Sequence, residues 1–146
     1  MNAMKAAARR SFWAGVGVAA VLLAGCAEMG MSHDMKLSLS GSQEVPPVAT
    51  SASGSGTITI GDDRSVSGSV TTTGVAGVAA HIHMGAAGQN GGVIIPLTKT
   101  GDSTWSVPAG AKLTDAQYAA YKAGNLYVNV HSPSHKGGEV RAQLKP

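Results

Sequence analysis

The chain has 146 residues, one cysteine, and 11 Lys and Arg against 8 Asp and Glu, a formal charge of +3. Lys5, Arg9 and Arg10 account for that excess, and the near-neutral remainder, with no basic stripe, excludes a nucleic-acid surface. A single cysteine excludes a disulfide framework and a thiolate metal site, so the domain must be held by a packed core.

Residues 1–25 read as a lipoprotein signal peptide. Lys5, Arg9 and Arg10 form a basic leader, and Phe12 to Ala24 form a short apolar stretch. In Leu23-Ala24-Gly25-Cys26, small residues precede the lone cysteine where a bacterial lipoprotein is cut and acylated. The stretch is too short to span a bilayer, and an uncleaved anchor or an ordinary secretory signal are the alternatives. Cys26 is then the lipidation site, the membrane is reached through an N-terminal lipid anchor, and the protein belongs in the cell envelope. Residue 27 is alanine rather than aspartate, which makes the outer membrane, facing the periplasm or the cell surface, the expected location.

Residues 26–35 are expected to form the lipidated cysteine and a tether, because Ala27 to Asp34 has no periodicity. Residues 36–146 suit a single domain with one core. From Met35 the hydrophobic period is two. Leu37 and Leu39 alternate with Lys36, Ser38 and Ser40; Ile58 and Ile60 with Thr57 and Thr59; Val66 and Val70 with Ser65, Ser67 and Ser69. Half-buried antiparallel strands have this pattern. Further strands are expected at Ala79 to Met84, Val93 to Thr98, Thr104 to Val107, Leu126 to His131 and Glu139 to Leu144, separated by Gly, Pro, Asn and Asp turns. About eight short strands predict an all-β fold, a Greek-key β-sandwich or barrel.

One short helix interrupts the strands. Thr114 and Gln117 have capping-box spacing, Leu113 and Tyr118 stand at the staple positions, and Gly124 lies where a left-handed terminator belongs. Glu44-Val45-Pro46-Pro47 joins an extended Pro-Pro segment to a carboxylate and reads as a strand-end turn that blocks edge pairing, with a binding role as the alternative.

The chemistry concentrates in His81-Ile82-His83 and His131. Residues i and i+2 of a strand point the same way, so two imidazoles converge while Ile82 turns to the core. Asn129 and His131 share a face opposite Val128 and Val130. Three histidines from two strands form a nitrogen-rich site suited to copper, with zinc the weaker candidate, and His135 is a possible fourth ligand. A hydrogen-bonded structural cluster of histidines is the alternative. Glu139 and Arg141 alternate with Val140 and Ala142, and read either as a surface ion pair or as groups orienting His131. Met84 is expected in the core. No nucleophile elbow or Ser/His/Asp arrangement marks a hydrolase.

Three motifs carry a family resemblance: Leu39-Ser40-Gly41-Ser42-Gln43-Glu44-Val45-Pro46-Pro47-Val48; Ala80-His81-Ile82-His83-Met84-Gly85 with Gly88-Gln89-Asn90-Gly91; and Tyr127-Val128-Asn129-Val130-His131 with Gly138-Glu139-Val140-Arg141-Ala142-Gln143-Leu144. In this order, over about residues 36–144, they resemble the chordin-type (CHRD) domain. The resemblance implies an immunoglobulin-like β-barrel, distantly similar to Cu/Zn superoxide dismutase. In that comparison His81 and His83 match an H-x-H strand, His131 a late copper ligand, and Arg141 an arginine that steers a small anion. The zinc loop and the intrasubunit disulfide have no counterpart, so a single copper site is the surviving version. The expected function is an envelope-anchored binding module, not an enzyme, with a possible copper site and an envelope protein as partner. A superoxide dismutase-like enzyme and a purely structural module are the alternatives.

Overall fold

The computed structural model describes residues 30–146; the expected signal peptide and Cys26 lie outside the described residues. Nine strands alternate with tight turns: β1 (Ser32–Ser40), β2 (Ser53–Gly61), β3 (Val66–Thr73), β4 (Ala79–Met84), β5 (Gly92–Pro96), β6 (Thr98–Lys99), β7 (Thr104–Ser106), β8 (Leu126–His131) and β9 (Val140–Leu144). They form one antiparallel sheet in the order β5-β4-β8-β9-β1-β2-β3-β7-β6.

The sheet rolls up because its two edge strands are neighbours in sequence. Only Leu97 separates β5 from β6, and its N–H bonds to the Ala80 carbonyl of β4 at 2.9 Å. The result is a nearly closed barrel with the predicted all-β architecture. Pro96, which has no N–H to give a ladder, sits on edge strand β5 where that lack costs nothing. Inside the barrel, the alternate residues Met35, Leu37, Leu39, Ile58, Ile60, Val66, Val70, Ala80, Ile82, Leu126, Val128, Val130, Val140, Ala142 and Leu144 form one apolar core.

The helix α1 (Asp115–Lys122) starts as its sequence dictates. The Thr114 side chain accepts from the Gln117 N–H, the Gln117 side chain accepts from the Thr114 N–H, and Gly124 follows at φ +74°. Tyr121 plugs the core while Tyr118 lies beside it at 5.8 Å between ring centroids.

Three expectations are corrected. The tether is shorter than its composition suggests, since Ser32, His33 and Asp34 already pair with Gly61, Ile60 and Thr59. Backbone hydrogen bonds to β2 carry polar residues into the strand, and hydrophobic periodicity cannot register that. The stretch from Val93 to Thr98 is two strands, because Leu97 turns into the core between opposite edges of the sheet. Met84 is exposed at the end of β4 and takes no part in the core.

The outer face of β4, β8 and β9 is not bare. The segments Gly41–Ala52 and Gly85–Gly91 lie across it and are tied to each other by a hydrogen bond from Asn90 Nδ2 to the Val45 carbonyl, 2.8 Å. They are also tied to the strands beneath, through Thr50 to Glu139, Arg141 to the Ala86 carbonyl and Gln143 to the Gly85 carbonyl. All six residues of β8 are therefore buried, including the polar ones. Glu44-Val45-Pro46-Pro47 does follow a strand end, and its place in the fold is this cover.

Candidate metal centre

Register assembles the site. β4 pairs with β8 so that His81 stands opposite Asn129, His83 opposite Tyr127 and Ala79 opposite His131. Directly opposed residues share a face, so His81, His83, Tyr127, Asn129 and His131 all point outward while Ile82, Val128 and Val130 point to the core. One ring nitrogen from each of His81, His83 and His131 lies within 4.8 Å of the others. Among the described residues this is the cluster of potential ligands that could hold a metal ion.

The hydrogen bonds fix which nitrogens are free. His83 Nδ1 lies 2.9 Å from the Gly91 carbonyl, and His131 Nδ1 lies 2.9 Å from the Lys136 carbonyl. A carbonyl only accepts, so both Nδ1 atoms carry the proton and both Nε2 atoms present a lone pair. The buried His83 Nε2 has no hydrogen-bond partner. His131 Nε2 accepts from His81 Nδ1 at 3.0 Å. Carbonyls that hold the far nitrogen and aim the near one are the usual support of imidazole ligands.

Electrostatics keep the rings ligand-competent. Burial, and then the neighbouring His131 and His83, push His81 below its ordinary value of 6.5. Burial likewise lowers His83, against the opposing pull of its hydrogen bond to Gly91. Both are neutral at pH 7, the form that binds a cation.

The structure separates the remaining candidates. His135 is not brought to the cluster. The Ser132–Gly138 segment closes on itself through Ser132 N–H to His135 O, His135 N–H to Ser132 O and Gly138 N–H to His135 O. This turn holds His135 Nδ1 3.6 Å from Glu139 Oε2. Glu139 is buried and accepts from Thr50 Oγ1 at 2.9 Å, and hydrogen bonds from Ser132 above all hold its carboxyl below the usual range. Neither predicted role fits it: no ion pair joins it to Arg141 among the described residues, and His131 is oriented by the Lys136 carbonyl instead. Arg141 is 1% exposed and lies over the Tyr127 ring, its Cζ 3.4 Å from the centroid, so that ring stands between the guanidinium and His83 and the predicted steering of an anion to the histidines does not fit. Asn129 is buried in the same layer, and its Nδ2 donates to the Gly137 carbonyl at 3.3 Å.

Tyr127 and Glu44 complete the buried polar layer of this outer face. Tyr127 stacks on His83 with ring centroids 4.7 Å apart and 1° between planes. β8 lies between β4 and β9, so His83 and Arg141 reach Tyr127 from opposite sides. Parity alone could have found it, since Tyr127, Asn129 and His131 are spaced by two. The Glu-Val-Pro-Pro motif marked the Glu44 carboxylate, but nothing local showed that it would be buried. It is 4% exposed, and burial pushes its carboxyl up to about 7 against the opposing effects of Asn129 and Arg141. Gly138, at φ +126°, makes room for it, because a side chain there would collide with both Glu44 and Asn129.

Fold and site together define a small antiparallel β-barrel with a three-histidine cluster on its outer face. The chain belongs to the CHRD family: the model of that family, a CHRD domain, matches residues 35–144. No curated protein and no solved structure matches it.

Proposed function

We propose that this protein is an envelope-anchored CHRD module that holds one copper ion at His81, His83 and His131. The observation that carries the reading is that His81, His83 and His131 each bring a ring nitrogen within 4.8 Å of the others, while buried His83 Nε2 has no hydrogen-bond partner and main-chain carbonyls hold the Nδ1 atoms of His83 and His131. Three neutral nitrogen donors without a carboxylate or thiolate suit copper, and zinc next. Bound copper would supply a redox-active centre. His81 and His131 would give up their mutual hydrogen bond to hold the ion, while the Gly91 and Lys136 carbonyls would keep the His83 and His131 rings in place.

The same hydrogen bonds also describe a structural histidine cluster, so the test must separate the two. Cu(II), Cu(I) and Zn(II) are titrated into the full chain in detergent, with bound metal measured after gel filtration, beside a His81→Ala/His83→Ala variant. Stoichiometric binding that raises the melting temperature, and is lost in a folded variant, supports the site. A folded wild type that takes up no metal leaves the structural cluster and a partner-binding role.

Dismutase turnover is the narrower reading and is weakened by Tyr127, which stands between Arg141 and His83. Superoxide consumption by the copper-loaded chain is the assay for it. The anchor rests on Leu23-Ala24-Gly25-Cys26 alone. Cys26→Ala is expected to move the protein from the membrane to the soluble fraction, and unchanged membrane recovery would remove the lipid from the account.

A further inference from the structure

The outer face carries a second polar feature that the histidine cluster does not use. A cleft of about 430 Å³ opens between the Gly41–Ala52 cover and β9, walled by Glu44, Val45, Pro47, Arg141, Gln143 and Lys145. That volume lies within the range of small-molecule sites, ~300–1,000 Å³.

Two buried groups on its walls are incompletely satisfied. Arg141 Nη2 donates to the Ala86 carbonyl and to Gln143 Oε1, but Nη1 has no partner. No carboxylate forms an ion pair with this guanidinium among the described residues; its closest compensation is the face of Tyr127. A buried cation without an ion pair is destabilising until an anion neutralises it. Glu44 Oε1, also buried, is likewise without a hydrogen-bond partner. Val45 and Pro47 give the same cleft an apolar wall.

We propose that this cleft binds a small organic carboxylate, which accepts from Arg141 and lays a short apolar body against Val45 and Pro47. Glu44 completes the match. Burial pushes its carboxyl up to about 7, so in mild acid it adds no repelling charge to this wall of the cleft. The charged and titratable groups around Glu44 are Arg141 and Lys145 from β9 and its extension, and His135 from the preceding loop. The guanidinium excludes an amine, and the apolar wall favours an organic acid over an inorganic anion.

Butyrate is the probe. It is titrated at pH 6 into the ¹⁵N-labelled full chain in detergent micelles, with butyramide and butylamine as matched controls, and amide shifts are followed. Saturating shifts centred on Val45, Gly88 and Gln143 are expected, with a Kd of about 1 mM, the scale for a ligand of so few atoms. Lys145→Gln is expected to weaken binding roughly threefold through lost long-range attraction. Arg141→Gln is expected to abolish it. Because Arg141 also supports Tyr127, Ala87→Trp provides the second variant: it fills the cleft, leaves Arg141 in place, and is expected to abolish binding with a native spectrum. Shifts that fail to saturate, equal shifts with butyramide, or undiminished binding in folded Ala87→Trp would overturn the proposal.

Discussion

The stack of His83, Tyr127 and Arg141 ties the candidate ligands to the rest of the outer face through one aromatic ring. The ring holds His83 by a parallel stack and Arg141 by a cation–π contact, and its hydroxyl accepts from the Gly91 N–H at 3.1 Å. Tyr127→Leu removes all three at similar volume. It is expected to cost about 2 kcal/mol in urea unfolding and to lower metal affinity in a competition titration, because the His83 ring loses its support. Glu44 makes the other residue-level prediction. A carboxyl raised from 4.5 to about 7 contributes stability that is full below 4.5 and lost as pH rises to about 7, since the unfolded chain releases its proton first. His81 and His83, lowered on folding, act in the opposite sense: their contribution is present above 6.5 and lost as pH falls. The opposing slopes make the variant comparison the informative one. Relative to Glu44→Gln, the wild type is expected to lose melting temperature steadily between pH 5 and pH 7.5; parallel curves would show that Glu44 titrates normally.

At the scale of elements, α1 is the part most fully written in local sequence. Thr114, Gln117 and Gly124 satisfy its ends with contacts at most a few residues away, so Thr114→Ala is expected to cost about 1 kcal/mol by chemical denaturation. The strands divide differently. Where one face is apolar, as in Met35 to Leu39 or Leu126 to Val130, alternation located them. Where pairing is carried by main-chain bonds under polar side chains, as in Ser32 to Asp34, it did not. The break at Leu97 was invisible for a related reason: both halves of the run are extended and apolar, and only the change of sheet edge divides them. Face was legible too, but burial was not. Alternation placed Glu139 and Arg141 on the outer face, and the loops that cover them come from positions 41–52 and 85–91.

For the whole molecule, core and site are two faces of the same three strands. Ile82 is 1% exposed inside the barrel while its neighbours His81 and His83 stand outside. Ile82→Ala is expected to cost ~2–5 kcal/mol and, where the variant still folds, to weaken metal stabilisation as well, a pairing readable by thermal unfolding with and without copper. The sequence by itself determined the CHRD family, the all-β class, the helix caps and the three histidines. Each of these rests on local chemistry or on the two-residue period of a strand. Only the tertiary structure decided that His135 stays apart, that Arg141 is buried behind Tyr127, and that Glu44 and Arg141 wall one cleft. Those facts depend on strand register and on loops packed across the sheet, which bring together residues some forty to ninety positions apart, and no local pattern encodes such distances.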